Sequence, residues 1–376
     1  MEKYFMAAMG GADGLGNRSI AHLVNFFGSA EVAWSADAYD LSKSGIRKKS
    51  LEAFLEFRRE HPNAPENLIG YCERHKINLC CIVDEDYPPL LKEIDTPPMF
   101  FYYRGQLQPL AQRIGAVGSR HNTLYGQTVA LELGEQLAAA GLTVVSGAAR
   151  GIDSFAHRGA LKSGRTVAVL GCGINHLYPI ENRKLYEQIV ELGVVMSEFP
   201  PLLPPNQGTF RVRNRIIAGL SRGVVVVEAG KESGALITSG YAGDFGRDVF
   251  AIPGKIYDDM NFGCHELIRD GATLIKSAQD ILDEYDIAAT TPEIFTPKSS
   301  ADSKPPRIQP KPAKTVELDG AEAKIFEIIP LDKFITDEEI LMQVDDITPS
   351  ELPSIMTNLE LKNCVEEDAG RYKRKR

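Results

Sequence analysis

Between residues 77 and 288 the chain alternates short apolar runs with amphipathic stretches, and that alternation leaves few folds open. RIGAVGS, LTVVSG, TVAVLG, GVVMSE, GVVVVEA and VFAIPG are near-continuous Val, Ile and Ala runs of strand length. Between them QTVALELGEQLAAAG, SFAHRGALKSG, ENRKLYEQIVELG, RNRIIAGLS and ALITSGYAGDFG carry helical spacing. A strand with no polar side must be covered on both faces. The pattern therefore predicts an α/β fold: a Rossmann-like, doubly wound, mostly parallel sheet. INLCCIV, just before it, alternates like a further strand.

The flanks read differently. In residues 1–76, Ile20, Leu23, Val24 and Phe27 fall at i, i+3, i+4, i+7, and KKSLEAFLEFRREH makes a second helix. GLGNRSIAHLVNFFG followed by LSKSGIRKKSLEAFLEF resembles a helix-hairpin-helix or SAM-like module, whose helix start suits a DNA phosphate or a protein contact. Residues 289–315 hold six prolines among Ser, Lys and Asp with little to bury, which predicts an extended linker. Residues 316–376 read as three short helices and a hairpin, the outline of a winged-helix domain. Its helices carry glutamates where a groove-facing helix would carry cations. Protein contact or regulation is the expected role there, although RYKRKR is basic.

Composition sets limits on function. No apolar run approaches the ~18 residues that span a bilayer, and MEKYFMAAMGGADGLG lacks the apolar core of a signal peptide, so a cytoplasmic protein with no membrane partner is expected. The net charge of −9 excludes a surface coated in phosphate-binding cations, but it leaves room for a local basic groove. Six cysteines with no C-x-x-C pair suit small apolar packing in a reducing compartment. Cys172/His176 and Cys264/His265 are too isolated for zinc, so neither metal nor cofactor is expected.

In a doubly wound sheet, ligands bind where strands end and helices begin. Here those turns are rich in Gly, Ser and Arg: Gly118-Ser119-Arg120, then Gly147 through Arg150 and Gly151, then Gly171-Cys172-Gly173, and later Gly230 to Ser233 and Gly234. Glycine lets backbone approach an anion, and guanidinium suits bidentate phosphate contact. From Gln207 to Arg222 there are four arginines and no carboxylate, a positive stripe in an acidic chain. Within it Phe210 stands beside Arg211, Arg213, Asn214 and Arg215, pairing a stacking face with phosphate-binding charge. The competing reading puts Phe210, Ile216 and Ile217 in the core and the arginines in ion pairs.

Several enzyme classes are disfavoured. The chain has no G-x-x-x-x-G-K-[ST], no G-x-S-x-G elbow and no H-E-x-x-H, and Gly171-x-Gly173 lacks the third glycine of a dinucleotide fingerprint. Asp153, near a helix start, reads as a cap rather than an acid or base.

AVGSR, VVSGAARGIDSFAHRGAL, VAVLGCGINHLYPIENRKLYEQI, FRVRNRIIAGLSRGVVVVEAGKESGALITSGYAGDFGRDVFAIPG and GCHELIRDGATLI together resemble the DNA processing protein A (DprA, or Smf) family over most of residues 80–285. The resemblance implies a protein that binds single-stranded DNA on its Rossmann-like domain, forms a homodimer through that domain, and loads RecA in natural transformation. It assigns the G-S-R turn to Gly118, Ser119 and Arg120, and the F-x-x-R-N-R segment to Phe210, Arg213, Asn214 and Arg215. Arg183 and Lys184 become basic neighbours, and Leu267 and Ile268 candidates for the dimer surface. Two alternatives stand beside it. One is a nucleotide-processing phosphoribohydrolase of the lysine-decarboxylase-like fold, whose P-G-G-x-G-T-x-x-E signature is incomplete in Glu228 to Gly234. The other is a transcription regulator acting through the winged helix.

Overall fold

The computed structural model describes residues 1–107, 112–287, 320–330, 335–344, 347–348, 351–362, 364–368 and 371–374. The expected linker at 289–315 lies outside the described residues. The chain falls into two compact units, divided between Thr296 and Pro297.

The first unit opens with helices α1 (Glu2–Met9), α2 (Asn17–Phe27), α3 (Ala30–Ser35), α4 (Ala38–Lys43), α5 (Lys48–Glu60) and α6 (Ala64–His75). An antiparallel pair follows, β1 (Asn78–Cys81) and β2 (Phe100–Gly105), with the short α7 (Pro89–Lys92) between them. Alternation then begins with β3 (Arg113–Val117), α8 (Leu124–Ala139), β4 (Thr143–Ser146), α9 (Ile152–Ser163), β5 (Thr166–Val169) and α10 (Arg183–Leu192). It continues through β6 (Val194–Ser197), α11 (Gln207–Leu220), β7 (Gly223–Val226), α12 (Ala235–Asp244) and β8 (Asp248–Ala251). The unit closes with α13 (Phe262–Arg269), β9 (Thr273–Leu274) and α14 (Ala278–Glu284).

All nine strands join one sheet in the order β1-β2-β6-β5-β4-β3-β7-β8-β9. Pairing is parallel from β6 to β9, while β2 runs antiparallel to both β1 and β6. The expected doubly wound sheet is therefore present, and β2 is a strand the sequence reading lacked. Successive residues of each strand face opposite layers. Ile114, Ala116 and Val144 pack under α8, α9 and α14, while Val117, Val145 and Val226 pack under α11, α12 and α13.

The N-terminal helices, expected as a module of residues 1–76, pack directly on the sheet. Met6, Met9, Leu23 and Phe54 share one buried cluster with Leu79, Phe100, Tyr102 and Val195 of the sheet. The reason is that β1 and β2 extend the sheet beyond α10, and their apolar face needs a cover. A polar tie supports the joint. Asn17, at the start of α2, accepts from the Met99 N–H at 3.0 Å and donates to Glu198 at 3.3 Å. The start of α2 is thus bound to the sheet. Among the described residues, no helix is long and apolar enough to cross a membrane.

The second unit contains α15 (Gly320–Ile328), β10 (Ile335–Thr336), α16 (Asp337–Leu341), α17 (Leu352–Leu361), β11 (Val365–Asp368) and β12 (Arg371–Arg374). Its antiparallel strands run in the order β10-β12-β11. Ile325, Ile340, Leu352, Met356, Leu359 and Val365 form its core.

Candidate nucleic-acid interface

The chain winds from β3 through β4 and β5 to β6, then returns along α11 to place β7 on the other side of β3. The strand order reverses between β3 and β7, so the loops leaving these strands part and open a crevice. It measures about 600 Å³ and is lined by the turn after β3, the start of α9, the first half of α11 and the loop into α12.

The turn after β3 carries Gly118, Ser119 and Arg120. The Ser119 N–H donates to the Glu228 carbonyl at 2.7 Å, and the Ser119 hydroxyl accepts from the His121 N–H at 3.0 Å. Ser119 is buried and spent on shaping the turn, whereas Arg120 is exposed. Gly151 lies against this turn with φ +76°, and a Cβ there would come 2.2 Å from the Ser119 carbonyl oxygen, so glycine is required. The loop between β4 and α9 is fixed from beneath. The Asp153 carboxylate accepts from the Gly147 N–H at 3.1 Å and from Ala149 at 3.4 Å, while the Asn182 amide donates to the Ala148 carbonyl at 3.1 Å. These bonds hold Ala148 at φ +52°, a strained setting for a residue with a side chain. Asp153 does not cap α9, as the sequence suggested. It is a buried acceptor for loop N–H groups.

Helix α11 aims the aromatic group. A capping box between Asn206 and Thr209 starts it, and the Thr209 hydroxyl donates to the Gly171 carbonyl at 2.5 Å. The next residue, Phe210, is half-buried at the mouth of the crevice. Arg120 lies over its ring at 5.1 Å from the centroid and Arg213 at 6.0 Å, both within cation–π range. Tyr178 stands beside it, its ring centroid 5.6 Å from that of Phe210.

The four arginines of the stripe have different fates. Arg211 is exposed at the crevice and Arg222 lies over Tyr285 at the opposite end of the sheet. Arg213 is buried in the crevice floor, where it donates to the Gly147 carbonyl at 2.8 Å, to the Val169 carbonyl, and through Nε to Asn214 at 3.2 Å. Burial lowers its pKa to about 10, opposed by the nearby Asp153. The same burial raises Asp153, with Arg213 pulling the other way. Arg215 points away from the crevice into a buried ion pair with Glu198, and its second nitrogen donates to the Thr96 carbonyl at 2.9 Å. For Arg215 the ion-pair reading holds, whereas Arg213 is bonded to carbonyls and an amide oxygen, with Asp153 acting on it only through space. Asn214 donates to the Gly234 carbonyl at 3.2 Å, tying α11 to the loop that carries Ser233.

The structure thus brings Gly118, Arg120, Phe210, Arg211, Ser233 and Gly234 to one crevice, with Gly147 and Arg150 bordering a hollow beside it. Arg183 and Lys184 are exposed on α10 outside both, Arg183 paired with Glu187 at 3.3 Å. Leu267 and Ile268 are partly buried against the core beneath α12 and α13. The sequence reading missed His121 and Met260, which also line the crevice, and Tyr178; Lys231, within the Gly230–Ser233 turn, lines it too. Glu228, which opens the loop after β7, does not face the crevice. It is fully buried and accepts from the Thr123 N–H at 2.9 Å and hydroxyl at 2.5 Å, which anchors the start of α8.

Residues 78–286 match the family model of DNA recombination-mediator protein A. The chain belongs to that family. It is 39% identical over 248 residues to the DNA processing protein DprA of Bacillus subtilis, a match covering 65% of this chain and 81% of the relative. The crystal structure of DNA processing protein A from Streptococcus pneumoniae aligns with a TM-score of 0.66 at 36% identity, covering 75% of this chain and 97% of that one. DNA processing protein A from Helicobacter pylori, solved for its single-stranded DNA binding mode, aligns with a TM-score of 0.52 at 26% identity, covering 57% and 98%. The family match ends at residue 286, so the second compact unit lies beyond it.

Proposed function

We propose that this chain binds single-stranded DNA in the crevice between β3 and β7 and acts as a recombination mediator that loads a RecA-type recombinase. The observation that carries the reading is Phe210, held at the crevice mouth by a capped helix with Arg120 over its ring. A base stacks on such a ring, and the guanidinium meets the phosphate beside it, an arrangement that duplex DNA cannot use without unstacking. The family relationship, and the single-stranded DNA reported for the Helicobacter pylori relative, support the same ligand. A binding role without covalent chemistry is supported by the two buried carboxylates beneath the crevice, while Glu232 is exposed at its edge. Asp153 and Glu228 are both committed to backbone N–H groups.

Homodimerisation through the Rossmann-like unit and a cytoplasmic location belong to the same proposal. So does a winged-helix identity for the second unit, supported by its helix–strand–helix–helix–strand–strand order. In that unit Lys362 pairs with Glu322, and Arg374 donates to the Ile329 carbonyl at 3.0 Å and to the Glu327 carbonyl at 2.7 Å. Two of its cations are therefore occupied internally, which favours protein contact or regulation over a DNA groove.

Fluorescence anisotropy with labelled poly-dT and a matched duplex, across a salt series, tests the proposal. The wild type is expected to prefer the single strand and to weaken with salt, and Arg120→Ala to lose about tenfold or more. Equal affinity for both DNAs, or an Arg120→Ala protein that binds as the wild type does, contradicts it.

A further inference from the structure

Resting on that DNA-binding reading, we propose that Tyr178 is a second base platform beside Phe210, and that Glu181 holds Arg150 in reserve for the phosphate between the two bases. The two rings lie 5.6 Å apart at an interplanar angle of 36°. A sandwiched base needs about twice the ~3.4 Å stacking distance, so no base enters between them. The two rings instead form one continuous aromatic surface along which consecutive bases rest. Tyr178 is 42% exposed although it is a large aromatic residue. Its ring borders a shallow hollow shared with Phe210, Arg120, Gly147 and Arg150, which continues the main crevice past Phe210.

Arg150 is exposed at the far rim of this hollow, with its guanidinium 2.6 Å from the exposed Glu181 carboxylate. An ion pair this open is weak and yields readily to a phosphate. Glu181 nonetheless has a fixed position. It precedes Asn182, whose amide is buried and donates to the Ala148 carbonyl and, at 2.7 Å, to the Ser154 hydroxyl. The carboxylate is therefore anchored to the same loop that presents Arg150. Its effect is to weaken binding until a strand long enough to pass Phe210 displaces it, which disfavours single nucleotides relative to strands.

The test is anisotropy of a labelled poly-dT strand on the full chain, with Arg120→Ala as the control for the underlying reading. Tyr178→Ala is expected to weaken binding at least about fivefold without changing the salt slope, and Tyr178→Phe to restore most of it. Glu181→Gln is expected to tighten binding about two- to fivefold. Arg150→Gln should reduce the salt slope by about 0.7, and in that background Glu181→Gln should no longer tighten binding. If Arg120→Ala weakens binding but Tyr178→Ala does not, the second platform is refuted. Tightening by Glu181→Gln that persists without Arg150 refutes the latch. Binding unchanged in Arg120→Ala removes the crevice reading itself, and the platform with it. Should Tyr178→Ala not fold, Tyr178→Leu, which keeps an apolar side chain without a ring face, is expected to weaken binding likewise, and wild-type affinity in it refutes the platform; Glu181→Gln, at an exposed position, decides the latch.

Discussion

Replacing Arg213 with methionine should unfold the crevice rather than remove a DNA contact. The guanidinium is buried, donates to the Gly147 and Val169 carbonyls and to Asn214, and offsets the charge of Asp153. Leaving two buried carbonyls and the Asn214 oxygen without their donor, and Asp153 without the nearby positive charge, costs about 3–5 kcal/mol, because these groups cannot turn to water instead. Part of this is recovered if Asp153 takes a proton, since burial already raises its pKa. At about 2–4 °C per kcal/mol for a unit of this size, the melting temperature should fall by roughly 10 °C. Differential scanning calorimetry at neutral pH reads this directly, with Arg120→Ala as the comparison. Arg120 is exposed, so its removal should change stability by no more than about 0.5 kcal/mol. An Arg213→Met protein that melts within about 2 °C of the wild type yet loses DNA affinity tenfold would refute the reasoning and make Arg213 a direct ligand.

Three further outcomes follow from the same geometry. Glu198→Gln leaves Arg215 buried without its counter-charge and should cost about 3 kcal/mol, read as faster proteolytic release of the N-terminal helices. An unchanged cleavage rate would contradict this role. Gly151→Ala drives a Cβ to 2.2 Å from the Ser119 carbonyl oxygen at φ +76° and should cost about 2 kcal/mol or more in a urea melt, with weaker DNA binding as the Gly118–Arg120 turn shifts. His157 is buried with a neighbouring Arg213, and burial lowers its pKa to about 3. A base depressed in the folded state gives stability that is fully present above its unfolded pKa of about 6.5 and is lost as pH falls toward 3. His157→Gln should therefore become more stable relative to the wild type across that window. A stability difference that does not vary with pH would show that His157 titrates normally.

The parallel sheet was legible because Val- and Ile-rich runs at helix-separated intervals admit one kind of layer structure. β2 escaped notice because FFYYRG follows two prolines and its strand character depends on pairing with β1 and β6. Helical spacing showed that the N-terminal helices each have an apolar face, but a periodicity does not say what that face meets. Here it meets the sheet. In the site, the Gly-rich turns, Arg120 and Phe210 were readable from residue type and position. The different fates of Arg211, Arg213 and Arg215 were not, because they depend on which carbonyls and carboxylates surround α11 in space. Glu198, just after β6, and Asp153, in the first turn of α9, were the available signal for the buried cations. Tyr178 gave no signal of its own. Its role emerges from a ring-to-ring distance.

The central claim is that single-stranded DNA lies across Phe210 at the ends of β3 and β7. Photo-crosslinking of a 5-iodouracil-substituted strand to the full chain, with peptide mapping by mass spectrometry, tests it most directly. Crosslinks at Phe210, with Tyr178 appearing as the strand is lengthened, are the predicted result. Crosslinks confined to residues 320–374, or unchanged in yield when Phe210 is replaced by alanine, would contradict it.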